Sequence, residues 1–237
     1  MNVLTVKNLY VSIDEKPIIE NLSFELAERD ALSILGPNGA GKTVLLKALL
    51  NLLSYSGEIT WAPGVRIGYV PQKLDADRHL PLTFANLFVA KCKTLKVAIA
   101  DIKEISESVG LTKELLETAV GHLSGGQFQR GLIGFALIGK PNVLLLDEPT
   151  ASIDELGEEH IYELIHRLQD QYHLATIMVS HDLSFVSRYA TKVLCLNKQS
   201  VCLGTPQEAL APEVLEKLYG APFGYYHHDH GESHRHH

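Results

Sequence analysis

Polar and apolar residues alternate over residues 3–9 and, more loosely, over 18–26, the period-2 pattern of antiparallel strands with one buried face. Residues 31–35 break that alternation. They form a short apolar run, as expected of a strand covered on both faces, and end in Gly36-Pro37-Asn38-Gly39-Ala40-Gly41 before a helix-like stretch at 43–53. From 74 to about 122 apolar residues recur at three- and four-residue spacing, through Leu87, Val89, Ile99, Ile102, Ile105 and Leu115, which predicts an inserted helical subdomain. Strand signals return at 143–146, 175–179 and 192–196, with a helix predicted over 155–170. Strands alternating with helices imply a largely parallel sheet in an α/β fold. Beyond Pro222 no apolar period remains, so residues 1–222 are expected to form the folded domain, with its helical insert at about 73–139, and residues 223–237 a mobile histidine-rich tail.

Composition narrows the partners. A chain of 237 residues with 46% hydrophobic and 21% charged residues has enough apolar sequence for a proper core. Its formal net charge of -7 argues against nucleic acid as the main partner, because phosphate binding normally leaves a basic footprint. Cys92, Cys195 and Cys202 show no paired framework and no metal-finger spacing; they read as small buried hydrophobes in a reduced cytosolic interior. The N-terminal residues lack a basic segment followed by an apolar core, so no export signal is expected. The longest apolar stretches, such as 132–139, are too short to span a bilayer, so a membrane role would come through a partner.

The glycine run continues into Lys42 and Thr43, giving the pattern G-x-x-x-x-G-K-[ST] between a buried strand and a helix. Glycines there let successive backbone N–H groups curl around phosphate oxygens, which a bulky side chain would prevent. Lys42 is placed to reach the β and γ phosphates of a nucleotide, Thr43 to offer its hydroxyl to Mg²⁺, and the following helix to point its positive end at the triphosphate. The apolar run at 143–146 delivers Asp147 and Glu148 at the strand end where parallel sheets place their ligands. Asp147 is expected to hold Mg²⁺ through water. Glu148 is expected to act as the general base toward an attacking water.

Leu123-Ser124-Gly125-Gly126-Gln127, continued by Gln129 and Arg130, resembles the signature of ABC-type ATPases and separates the chain from kinases, GTPases and helicases. The resemblance runs from residue 1 to about 222. It implies a P-loop ABC cassette: a RecA-like mixed sheet core, an antiparallel β subdomain and the inserted helical subdomain. It also implies that two copies pack head to tail, with Ser124, Gly125, Gly126 and Gln127 of one closing over ATP held by Gly36, Pro37, Asn38, Gly39, Ala40, Gly41, Lys42, Thr43 and Val44 of the other. Gln72, in Gly68-Tyr69-Val70-Pro71-Gln72, resembles the glutamine loop that senses Mg²⁺ and water and couples to a membrane permease. Asp154, in Ala151-Ser152-Ile153-Asp154, resembles the loop that crosses the dimer interface, and His181 the switch histidine that contacts the γ-phosphate.

Some positions depart from the family pattern. Ile13 stands where the adenine-stacking aromatic falls, with Tyr10 the nearest ring; Val44 replaces a second hydroxyl residue; Arg29 occupies a common glycine turn. Gly134 and Phe135 stand where an arginine is usual, which is expected to soften that helix. Residues 67–74 (IGYVPQKL), 193–206 (VLCLNKQSVCLGTP) and the histidine-rich end resemble the ATPases of zinc-uptake importers, which implies indirect partnership with an external metal-binding protein. Six of the twelve histidines, His227, His228, His230, His234, His236 and His237, lie after Tyr226, interrupted by Asp229, Glu232 and Arg235; imidazoles beside carboxylates suit Zn²⁺, the alternative being a terminal tag. Manganese or iron as cargo, and a soluble ABC protein outside transport, are the alternatives.

Overall fold

The computed structural model describes residues 1–72, 81–151 and 153–220. Strand β1 (Asn2–Ile13) pairs antiparallel with β2 (Lys16–Ala27) on one side and β4 (Ser56–Trp61) on the other, making a three-stranded sheet. A second sheet has the order β5-β6-β7-β3-β8-β9, built from β3 (Ala31–Leu35), β5 (Ile67–Val70), β6 (Val143–Asp147), β7 (Ala175–Val179), β8 (Lys192–Asn197) and β9 (Gln199–Gly204). All its pairings are parallel except β8–β9. The mixed α/β architecture expected from the alternation of strands and helices is therefore present.

Both faces of the larger sheet are covered, which is why its strands read as unbroken apolar runs. In β6, Val143 and Leu145 face a core shared with the small sheet and helix α1 (Lys42–Leu49), while Leu144 and Leu146 face a second core with most of the other helices. The same alternation sends Leu32, Ile34, Ile177 and Leu194 to the first core, and Met178, Val193 and Cys195 to the second. Strand geometry thus continues the first face to Asp147, placing that carboxylate on the α1 side.

The segment between β5 and β6 carries α2 (Phe84–Leu95), α3 (Asp101–Ser108), α4 (Lys113–Glu117), a 3-10 turn at Val120–His122 and α5 (Gly125–Leu137). Two glycines of helix α5 are positions of close packing. A Cβ on Gly131 would collide with the Phe84 ring, and one on Gly134 would meet Phe88 Cζ at 2.9 Å. The missing side chains let the aromatic residues of α2 pack directly on the α5 backbone. After β6 come α6 (Glu155–Tyr172), α7 (Leu183–Tyr189), α8 (Pro206–Ala209) and α9 (Pro212–Tyr219).

Two sequence expectations need correction. The helix after the glycine run stops at Leu49 rather than continuing to 53, because Asn51 adopts a positive φ of 57°. Arg29, read as standing at a glycine-type turn, does adopt a left-handed φ of 64° there. Cys195 and Cys202 are not unpaired hydrophobes. They lie opposite one another in the β8–β9 register, with Cα atoms 4.8 Å apart, and form a disulfide, whereas Cys92 is free and buried. A spacing of seven residues does not reveal a hairpin whose second strand, β9, is half exposed and weakly patterned. The tail at 223–237 lies outside the described residues.

Gly131→Ala separates helix propensity from packing. Alanine favours a helix interior by about 1 kcal/mol, but overpacking costs about 1–3 kcal/mol. The expected outcome is a lower Tm by thermal denaturation, with partial recovery in Gly131→Ala/Phe84→Leu.

Candidate active site

The chain enters the glycine run from β3 with no room for side chains. A Cβ on Gly36 would run into the Leu196 carbonyl oxygen of neighbouring β8. Gly39 and Gly41 hold φ values of 81° and 98°, which glycine adopts at little cost. The turn then opens directly into α1, whose first backbone N–H groups point back toward the loop. Lys42 is buried and folds over the loop, donating from Nζ to the carbonyls of Gly36 at 2.7 Å and Pro37 at 3.0 Å. Burial pushes its ammonium below the ordinary lysine value, against the pull of Glu148 and Asp147. A loop of this shape, with a cation at its centre, is built for a polyphosphate.

Thr43 Oγ1 donates to Asp147 Oδ1 at 3.1 Å, joining α1 to the end of β6. Asp147 is 1% exposed. Burial raises its carboxyl above the ordinary aspartate value, and the Thr43 hydrogen bond acts in the opposite direction. The next residue, Glu148, leaves the strand at φ 45°, which turns its side chain away from Asp147's face. There Gln72 Nε2 donates to Glu148 Oε2 at 2.6 Å, and His181 Nε2 lies 2.7 Å from Glu148 Oε1. Two loops, one after β5 and one after β7, therefore meet on a single carboxylate.

These contacts gather Lys42, Thr43, Asp147, Glu148, Gln72 and His181 at one edge of the sheet. Ser124 does not join them. It caps α5 in a reciprocal box with Gln127: Ser124 Oγ accepts from Gln127 N at 3.3 Å, and Gln127 Oε1 accepts from Ser124 N at 2.9 Å. Ser124 and Gly125 are exposed, and a Cβ on Gly126 would meet nothing within 4 Å. Packing within the chain thus gives no reason for glycine at 126. Asp154 is exposed and caps α6, accepting from Gly157 N at 3.3 Å. Ile13 and Tyr10 are 41% and 39% exposed. The six tail histidines lie outside the described residues.

The sequence reading missed one neighbour of the loop. Tyr219, the last residue of α9, accepts a hydrogen bond from the Gly36 N–H, while burial raises its hydroxyl above the ordinary tyrosine value. The amphipathic spacing in α9 marks a packed helix, but nothing local says that its end reaches the glycine loop.

A family model described as ABC transporter matches residues 19–151. The chain is 37% identical to the zinc import ATP-binding protein ZnuC of Hydrogenovibrio crunogenus over 241 residues, covering 97% of this chain and 93% of that protein. The protein of the same name from Haemophilus influenzae is 37% identical over 96% of this chain and 85% of its own length. Among solved structures, an inward-facing ABC transporter of metal-chelate type matches with TM-score 0.84 at 28% identity, over 93% of this chain and 90% of that one.

The raised Asp147 value fixes a sign. Ionising this carboxyl costs folding free energy; the cost is absent below its unfolded value, builds up as pH rises from that value to the folded one, and is constant above it. Asp147→Asn keeps an acceptor for Thr43 and removes that cost. Its Tm at neutral pH is expected to equal or exceed the wild-type value by up to roughly 4 °C, with the difference shrinking toward about pH 4, as read by thermal melts across pH.

Proposed function

We propose, from the premise that the chain belongs to the ABC transporter family and is an ATPase of it, that it energises import of a divalent metal, zinc. The single observation that carries the ATPase chemistry is the Glu148 carboxylate held between Gln72 and His181. A base fixed at both oxygens is oriented for one proton transfer. The attacking water gives its proton to Glu148 as its oxygen bonds to the γ-phosphorus; the bond to the β-bridging oxygen breaks, leaving ADP and phosphate. Lys42 and the backbone N–H groups of residues 38, 39 and 41–44 offset the charge that develops on the phosphoryl oxygens. His181 orients Glu148 and reaches the γ-phosphate.

Mg²⁺ fits the donors present. Thr43 Oγ1 and Asp147 Oδ1 are hard oxygen ligands on adjoining elements, and Gln72 stands at the same strand edge. When bound, the ion would supply charge neutralisation for the nucleotide phosphates. The exposed Ser124 and Gly125 and the unfilled space at Gly126 support a role in covering ATP bound to a second copy, with Asp154 at that boundary. Such a pair would rest on integral membrane permease subunits at the cytoplasmic face of a bacterial membrane, served indirectly by an external metal-binding protein. Among the described residues no helix is long and apolar enough to cross a membrane.

Zinc as cargo is supported by the named function of the relatives and by the histidine-rich end. His227, His228, His230, His234, His236 and His237 are proposed to bind Zn²⁺ weakly and to modulate hydrolysis. Co-purification with a permease and zinc uptake by the reconstituted complex support this reading. Uptake of manganese or iron alone would change the cargo, and recovery only with ribosomes or cluster-assembly proteins would remove the transport role.

Glu148→Gln is expected to bind ATP but lose at least roughly 100-fold in kcat, accumulating an ATP-bound dimer detectable by size exclusion. Turnover at the wild-type rate would show that the base is elsewhere. Zn²⁺ titration of the full chain and of a chain ending at Pro222 should differ in both binding and ATPase response.

A further inference from the structure

Behind Glu148 and His181 lies a polar chain that none of the roles above uses. Thr150, two residues after Glu148, donates from Oγ1 to Glu158 Oε1 of α6 at 2.6 Å. Tyr162 Oη donates to the same carboxylate oxygen at 3.0 Å and lies 3.1 Å from Ser180 Oγ. Ser180, the residue before His181, accepts in turn from Asp182 N at 3.1 Å. With Tyr162 and Thr150 each giving their one proton to Glu158, Ser180 accepts from Asp182 N–H and has its own proton for Tyr162. Tyr162 Oη also lies 3.1 Å from Thr150 Oγ1.

Tyr162 is thus where the two loops are tied together. It is 4% exposed, and its ring stacks on Phe185 of α7 with centroids 4.0 Å apart. Burial pushes its hydroxyl up to about 12, so it keeps the proton it donates at neutral pH. A buried network with every hydroxyl satisfied has one arrangement, because an alternative leaves polar groups unpaired at about 1–3 kcal/mol each. Packing alone would tolerate phenylalanine at 162. The hydroxyl serves to hold the backbone of Thr150 at a fixed distance from that of Ser180.

We propose that Tyr162 is a positioning residue for ATP hydrolysis, acting through Thr150 and Ser180 to fix the loop bearing Glu148 against the loop bearing His181. The proposal rests on the assignment of Glu148 as base. It accounts for a buried polar chain in a region where apolar packing would otherwise suffice, and it makes α6 the element that sets the Glu148–His181 geometry.

Tyr162→Phe preserves the ring and removes only the hydroxyl. Steady-state MgATP hydrolysis by the full chain is expected to show kcat reduced roughly 10-fold with KM changed less than about 2-fold. Ser180→Ala should give a similar kcat loss, and the double variant should be no worse than either alone, as for residues acting as a unit. Wild-type kcat in Tyr162→Phe, equal changes in kcat and KM, or multiplicative losses in the double variant would overturn the proposal. Glu148→Gln, assayed alongside, separates the two failures: an active Glu148→Gln removes the base assignment, while an inactive Glu148→Gln beside a wild-type Tyr162→Phe removes only the role of Tyr162.

Discussion

A sheet buried on both faces can hold charge only at the ends of its strands, and the site depends on that constraint. The interior of β6 is fully apolar, so its first carboxylates fall where the strand emerges, at Asp147 and Glu148. Period 2 directs Asp147 to the side that carries α1 and Thr43. The positive φ at Glu148 then breaks the alternation and delivers the second carboxylate to Gln72 and His181. Two adjacent acids consequently enter different surroundings, one buried with a hydroxyl partner, the other between two loops. Adjacent carboxylates can take separate tasks on this basis.

Apart from the left-handed turns at Gly39 and Gly41, glycine has three distinct uses along the chain. At Gly36 it lets β8 approach the phosphate loop, and at Gly131 and Gly134 it lets the aromatic residues of α2 rest on α5. At Gly126 neither reason applies, because a side chain there would enter open space. The first two uses are internal packing. The third supports an outside partner at the N-terminus of α5, where the capping box of Ser124 and Gln127 already fixes the backbone. A rigid, exposed helix start suits closing over an anion supplied by another copy.

The core elements were legible because their signals are local. The bounds expected for β3 and β7 match the structure, since fully buried strands flanked by turns leave unbroken apolar runs. The phosphate loop was readable for the same reason: its glycines, lysine and threonine are consecutive in the chain. Strand β9 and the Cys195–Cys202 pairing were not, because an edge strand of uneven exposure has no clear period and a pairing is a fact about register. The interrupted helices between β5 and β6 were visible as a helical region but not as separate elements, although Thr83, Lys96, Gly110 and Thr112 mark their ends locally.

Residue identity by itself determined which chemistry was possible here: a cationic glycine loop, hard oxygen donors, and a carboxylate able to accept a proton. Only the tertiary structure decided which of these groups meet, because Gln72, Glu148 and His181 are 76 and 33 positions apart in the pairs that touch. The Tyr162 network, the Tyr219 contact with Gly36 and the cysteine pair were likewise decided by folding. The reason is physical: hydrogen bonds and packing act over a few ångströms of space, while separation along a chain says little about distance until the sheet order is known.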